Sequence, residues 1–193
     1  MIEIDESVIL HEAIATNTYV IAGGPCSGKT SLLTLLEERG CDVVYEPAEE
    51  LLRASVKEGK SVQEVRQDGK GWQRKLVEAD IVLFNSLSRD KLTFVDTSFV
   101  ETWVYSRRVG LEFGPRLLSH LRSFRFAGVF FLDPLSRYES TKIRMEDRPT
   151  SRTLSEAVLS AYREFGHTPV ILPGTDSCDR LELILRTVGR DSL

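Results

Sequence analysis

The run Gly23-Gly24-Pro25-Cys26-Ser27-Gly28-Lys29-Thr30 restricts what this chain can become more than any other stretch of it. Its form is G-x-x-x-x-G-K-[ST], the phosphate-binding P-loop, and both flanks suit that mechanism. Tyr19-Val20-Ile21-Ala22 before it is a short apolar, partly β-branched run that reads as a buried strand. After it, Leu32, Leu33 and Leu36 recur at helical spacing, which predicts a helix from Lys29 to Arg39. A strand, a glycine turn and a helix start together gather several backbone N–H groups around an anion. The glycines let the backbone approach a phosphate closely, where side chains would collide with it. Gly23 to Thr30, with Ser31 beside them, are therefore the expected nucleotide-binding run. In it Lys29 reaches the β- and γ-phosphates and the Thr30 hydroxyl ligates Mg²⁺. Cys26 is either a filler of the loop or a thiol activated by the loop's positive field.

Composition narrows the class further. At 193 residues the chain reads as one α/β domain over residues 1–193, long enough to bury a full core. Its 41% hydrophobic and 28% charged residues are ordinary for a globular chain, which argues against disorder. A net charge of −4 gives no electrostatic case for nucleic acid as a partner. No apolar run approaches the length of a membrane span, and Glu3, Asp5 and Glu6 replace the basic start of a signal segment. Cys26, Cys41 and Cys178 are scattered, with neither a disulfide framework nor zinc spacing, and suit a reducing cytosol. Residues 1–18 form an N-terminal extension whose Val8, Ile9 and Leu10 suit a short edge strand or a helical turn. His11 there is read as a surface residue.

Along the rest of the chain, strands and helices alternate. Asp42-Val43-Val44-Tyr45 reads as a second strand closed by Glu46-Pro47, and Ala48 to Lys57 as a helix ended by Gly59. Ser61-x-x-Glu64 is a capping box opening another short helix. Trp72, Leu76, Ala79, Leu83 and Leu87 step at helical intervals and predict a long amphipathic helix to about Ser88. Leu92 to Asp96 is a third strand, after which Ser98-x-x-Glu101 caps the next helix. Gly110 to Gly114 interrupts it, and Pro115 to Phe126 reads as a helix with Leu117, Leu118 and Leu121 inward. Gly128 to Asp133 is a fourth strand, followed by a polar segment from Ser136 to Arg152 holding Arg137, Arg144, Arg148 and Arg152. Thr153-Leu154-Ser155-Glu156 reads as the cap of a helix ended by Gly166, Thr168 to Leu172 as a fifth strand, and Ser177 to Val188 as the last helix. Such alternation means a parallel sheet covered on both faces.

Two acids compete for the second carboxylate of a P-loop enzyme. Asp96 and Asp133 each end an apolar strand, where open α/β sheets place ligand-binding residues. Asp96 is the better placed if its strand lies beside the P-loop strand, and it would then orient Mg²⁺ or contact an acceptor. Asp133 precedes Pro134 and serves equally well as a turn residue. Glu46, at the same edge, is either a base for an attacking hydroxyl or an exposed acid favoured at a helix start. In the Arg-dense segment, guanidinium groups can brace a transferring phosphoryl group and the segment can exclude water. Arg144 and Arg148, at i and i+4, are the candidates there, against pairing with Glu139, Glu146 and Asp147 on a solvated loop.

With these residues in place, the chain resembles the P-loop AAA-domain family of NadR-like ATPases and kinases. The P-loop is the specific part of the likeness. Glu46-Pro47-Ala48, Phe130-Phe131-Leu132-Asp133-Pro134, Arg144-Met145-Glu146-Asp147 and the tail Tyr162-x-x-x-Gly166-His167 add to it. The resemblance implies a three-layer fold with a five-stranded parallel sheet in the order 2-3-1-4-5 and an Arg-rich lid at residues 136–152. Where the family has Ala-Ala-Arg after the second-strand Glu, this chain has Pro47-Ala48-Glu49, and where it favours Asp-Arg it has Asp96-Thr97. Both departures remove a cation from the acceptor side.

The expectation is a nucleoside-triphosphate-binding protein using ATP and Mg²⁺, with GTP as the alternative nucleotide. The guanine selector Asn/Thr-Lys-x-Asp is missing after every apolar strand. Lys29, Glu46, Asp96, Arg144 and Arg148 carry the expected catalysis, and Thr30 and Asp96 the metal. The chain is then a small-molecule kinase, an NTPase whose attacking group is water, or a nucleotide switch acting on a protein partner.

Overall fold

The computed structural model describes residues 1–2, 14–25, 27–59, 61–134 and 148–189. In chain order the elements begin with β1 (Ile14–Ala15), β2 (Thr18–Gly23), α1 (Lys29–Glu38) and β3 (Asp42–Val44). Next come α2 (Ala48–Lys57), α3 (Val62–Gln67), α4 (Gly69–Ser86), β4 (Thr93–Asp96) and α5 (Phe99–Arg108). They end with α6 (Pro115–Ser123), β5 (Phe124–Arg125), β6 (Gly128–Leu132), α7 (Arg148–Glu164), β7 (Val170–Leu172) and α8 (Ser177–Thr187).

Five strands form the main sheet in the order β3-β4-β2-β6-β7, with every pairing parallel. Counting only these five, the order is 2-3-1-4-5, so the P-loop strand is central and β4 lies directly beside it. The register sets Val20 opposite Val95 and Ile21 opposite Asp96 on one side, and Gly23 opposite Leu132 on the other. Val20, Ile21 and Ala22 are all fully buried, as a sheet covered on both faces requires. Val20, Ala22, Val95, Val129 and Phe131 face a core built with α4, α5, α6 and α7. Ile21, Phe94, Phe130, Leu132 and Leu172 face a second core with α1 and α8.

Local chemistry explains most boundaries. Gly59 and Gly166 follow their helices in the left-handed region, at φ 90° and 85°, where glycine carries no Cβ penalty. Both expected capping boxes form: Ser61 with Glu64, and Ser98 with Glu101.

Four expectations are corrected. Pro115 to Phe126 is not one helix: α6 stops at Ser123, and Phe124–Arg125 pairs in parallel with Ile14–Ala15 as a separate two-stranded piece. Thr153 to Glu156 cap nothing, because α7 already starts at Arg148 and they lie inside it. The long helix starts at Gly69, where the Asp68 side chain accepts from Gly71 N–H at 3.0 Å. Its most buried face is also rotated from the expected stripe. Gln73, Val77, Asp80, Ile81 and Phe84 are buried, whereas Trp72, Leu76, Ala79, Leu83 and Leu87 are half-buried. The helix packs on α5 with one face and borders a groove with the other, and polar residues on the packed face escape an apolar count.

Candidate functional site

The strand-to-helix turn after β2 is shaped for an anion. Gly28, at φ 94°, is the N-cap of α1 and offers no side chain, and the first turn carries no acid. The helix start thus keeps its N–H donors and positive end for a ligand. Gly23 and Gly24 have no room for side chains. A Cβ on Gly23 would stand 2.7 Å from Ser27 Oγ, and one on Gly24 would stand 2.8 Å from Ser155 Cβ. Lys29 donates through Nζ to the carbonyls of Gly23 at 3.0 Å and Gly24 at 3.1 Å, so its charge rests on loop dipoles. Thr30 and Ser31 are exposed on the first turn of α1. Pro25 O accepts from Ser151 Oγ at 3.1 Å, which seats α7 against the loop. Cys26 lies outside the described residues.

These features fit a nucleoside di- or triphosphate: a glycine cradle that a Cβ would fill, a lysine with no carboxylate bond among the described residues, and a helix start with no side-chain cap.

Asp96 and Asp133 flank the P-loop strand from opposite sides, and their surroundings separate them. Asp96 buries Oδ1 without a hydrogen-bond partner among the described residues. Burial, and then the Glu46 carboxylate, pushes its pKa up to about 6, while Lys29 draws it down. Asp133 is tied through its backbone, its N–H to Leu172 O at 2.9 Å and its carbonyl to Arg180. The Thr97 hydroxyl, next to Asp96, lies 3.4 Å from Glu46 Oε2 as its donor. Thr97 is also the one non-glycine residue with positive φ, at 59°, among the described residues. A β-branched residue there is strained, and it bends the chain straight from Asp96 into α5.

Glu46 also lines a groove of about 1230 Å³ between α2 and α4, with Val44, Leu51, Ala79 and Leu83 as apolar walls. Its charged rim includes Lys75 and Glu78 from α4. The structure thus brings together Lys29, Asp96 and Glu46, and opens space beside Glu46. It does not do the same for the arginines. Arg144 lies outside the described residues, and Arg148 opens α7 with its side chain likewise undescribed. Arg152, from the same segment, is an exposed partner of Glu156 at 3.0 Å.

Three buried residues of the site were missed in the sequence. Asp80 on α4 is 5% exposed, with Oδ2 unpartnered. Burial pushes its pKa up to about 7, a Thr102 hydrogen bond opposes this, and Glu101 and Glu46 add to it. Glu101 does more than cap α5. Its Oε2 accepts from Ser98 N–H at 3.0 Å and from the Tyr162 hydroxyl at 2.5 Å, while Oε1 is buried without a partner. Burial lifts Glu101 to about 7 against the Tyr162 hydrogen bond and the Lys29 charge. Ser98 Oγ stands 2.8 Å from the same Tyr162 hydroxyl, so α7 is locked onto the start of α5. Arg180 on α8 is 1% exposed beneath the P-loop. The capping box was the one signal that pointed to Glu101; Asp80 and Arg180 had none.

Among solved structures, the chain is similar to the NadR protein in complex with NR, at TM-score 0.65 and 17% identity over 91% of this chain. It spans about half of that protein's length, 52%. Deoxyadenosine kinase from M. mycoides with bound dCTP matches at TM-score 0.60 and 14% identity, covering 89% of this chain and 98% of that one. Shikimate kinase from Aquifex aeolicus vf5 matches at TM-score 0.54 and 16% identity, covering 91% and 98%. At such identities the likeness is one of fold, and the fold is that of P-loop kinases. No curated protein sequence matches the chain. Among the described residues, no helix is long and apolar enough to cross a membrane. The AAA domain family profile matches residues 18–180, which is most of the chain, and the protein belongs to that family.

Proposed function

We propose that the chain binds ATP with Mg²⁺ and transfers the γ-phosphoryl group to a small-molecule hydroxyl. One observation carries this reading. Asp96 stands on the strand beside the P-loop strand, and its carboxyl feels both Lys29 and Glu46 while keeping an oxygen unpartnered. A phosphate-holding cation, a half-buried acid and a second acid at the mouth of a groove are parts that phosphoryl transfer uses.

The loop's backbone N–H groups and Lys29 hold the phosphates. Thr30 and Asp96 hold Mg²⁺, which when bound neutralises phosphate charge. The acceptor lies in the groove between α2 and α4, and Glu46 takes the proton from its hydroxyl. Arg144 and Arg148 brace the transferred group, and residues 136–152 close over it to keep water out. ATP is favoured over GTP because the guanine selector is missing. The scattered cysteines, of which Cys41 is buried and Cys178 exposed, are in keeping with a reducing cytosol.

The test is a screen of hydroxyl-bearing metabolites for stimulated ATP consumption. At least one is expected to raise turnover ten-fold or more and to appear as its phosphate ester. Tight nucleotide binding with slow turnover that no metabolite changes would overturn the kinase in favour of a nucleotide switch.

A further inference from the structure

Arg180 is buried, at 1% exposed, and its guanidinium spends its bonds on three backbone carbonyls. Nε donates to Pro173 O at 2.7 Å, one terminal nitrogen to Ser27 O at 2.5 Å, and the other to Asp133 O at 2.6 Å. Those carbonyls belong to the P-loop and to the ends of β6 and β7, so one side chain ties three neighbouring strand ends. Among the described residues, none of the ion pairs includes it. Burial lowers its pKa and the Asp133 carboxylate acts against that, but a guanidinium keeps its proton. Burying a charge whose hydrogen bonds all go to neutral carbonyls is costly, so a functional reason is to be sought.

Peptide geometry supplies one. Ser27 C=O and Gly28 N–H belong to a single peptide unit, which is planar and trans, so they point in opposite directions. No cis peptide interrupts the described chain. Anchoring Ser27 O on the buried Arg180 therefore turns Gly28 N–H away from that side chain. Among the described residues, no backbone hydrogen bond uses that N–H. We infer that Arg180 is a positioning residue for phosphate, holding the Ser27–Gly28 peptide so that its N–H meets an anionic oxygen of a nucleoside di- or triphosphate. Its positive charge lies one peptide layer behind the ligand and adds to the attraction. This inference rests on the nucleotide-binding reading of the P-loop.

Calorimetric titration with ADP, AMP and inorganic pyrophosphate, on the wild-type chain, Arg180→Met and Arg180→Lys, tests it. Arg180→Met should lose at least ten-fold in affinity for ADP and pyrophosphate and at most three-fold for AMP, which lacks the β-phosphate. Arg180→Lys, keeping the charge and part of the donor set, should recover at least half of that loss on a logarithmic scale. Equal losses for ADP and AMP would reduce Arg180 to a general staple of the fold. Wild-type-like ADP binding by Arg180→Met overturns the inference and leaves the P-loop reading standing. Absence of ADP and pyrophosphate binding by the wild type overturns both. Hydrogen exchange at the Gly28 amide of the wild type serves even if Arg180→Met does not fold. ADP should slow that exchange ten-fold or more, and unchanged exchange in the ADP complex overturns the inference.

Discussion

Lys29 and Arg180, at and beneath the phosphate loop, give the hydrogen bonds described here to backbone carbonyls, two from Lys29 and three from Arg180. On the β4–α4–α5 side, Asp80, Asp96 and Glu101 each bury one carboxyl oxygen with no partner among the described residues. Lys29 could have been neutralised by those acids, since it is near enough to lower both Asp96 and Glu101. Instead it is held on loop carbonyls. Opposite charges that collapsed onto each other would form a stable pair with nothing left for a ligand. Held apart, each side keeps an unmet demand, and in the proposed reading Lys29 would hold the phosphates and Asp96 would hold Mg²⁺. Preorganised charge of this kind is what phosphoryl transfer needs, since there is little covalent chemistry for the protein to perform.

The most drastic way to break the comparison is to remove the cationic side. Lys29→Ala should cost at least a hundred-fold in triphosphate affinity, about 2.7 kcal/mol. The fold should survive, because the two bonds lost are to carbonyls of the loop itself. Titration with a non-hydrolysable triphosphate, beside a circular-dichroism melt, measures both. A folded Lys29→Ala chain with wild-type affinity and turnover would end the P-loop reading.

Removing charge from the acidic side should act on rate more than on binding. Asp96→Asn keeps the size of the side chain and should lower turnover at least ten-fold, about 1.4 kcal/mol of barrier. Asp133→Asn, whose backbone rather than carboxyl is engaged by Arg180 and Leu172, should change it by less than about three-fold. Steady-state ATP consumption by the two variants separates them. A silent Asp96→Asn beside a crippled Asp133→Asn would move the acidic side of the site across the P-loop strand to β6.

How far the sequence revealed this arrangement follows from the range of the interactions. The P-loop and the two capping boxes are set by contacts three to six residues apart, so their residue types are legible directly. Asp96 and Asp133 were both legible as candidates because the end of an apolar strand is a recurrent site, but their strands both pair with the P-loop strand, and only the neighbouring Glu46 and Lys29 set Asp96 apart. Arg180 was not, because its partners lie 153, 47 and 7 residues away and are carbonyls, which every residue possesses. The strand Phe124–Arg125 was hidden in the same way, since its partner is Ile14–Ala15. Asp80 and Gln73 were hidden by the pattern itself: a stripe drawn through apolar residues passes over a buried polar seam. Gln73 accepts there from Ser106 Oγ at 3.3 Å, and Asp80 is bonded by Thr102.

That seam yields the smallest effect and a direct measure of how unmet the acidic side is. Asp80 faces Glu101 and Thr102 from α5, with Glu46 and Tyr162 close enough to couple, and burial pushes its carboxyl up to about 7. A carboxyl raised on folding binds its proton more tightly in the native state. Its contribution to stability is therefore present below about pH 4, its unfolded range, and is lost as pH climbs toward 7. At pH 8 the wild type must hold Asp80 ionised and buried, whereas Asn carries no charge at any pH. Asp80→Asn should accordingly raise Tm at pH 8 by about 2–4 °C, the change that roughly 1 kcal/mol produces in a chain of this size. At pH 4.5 the difference should shrink toward nothing, because wild-type Asp80 is then largely protonated and as neutral as Asn. Comparing variant with wild type at each pH cancels the opposite trend of His167, whose pKa burial lowers to about 4. Thermal melts at both pH values decide the matter. An Asp80→Asn chain destabilised equally at pH 4.5 and pH 8 would mean that Asp80 is adequately solvated or paired, and the acidic side would then lose one of its three unmet carboxyls.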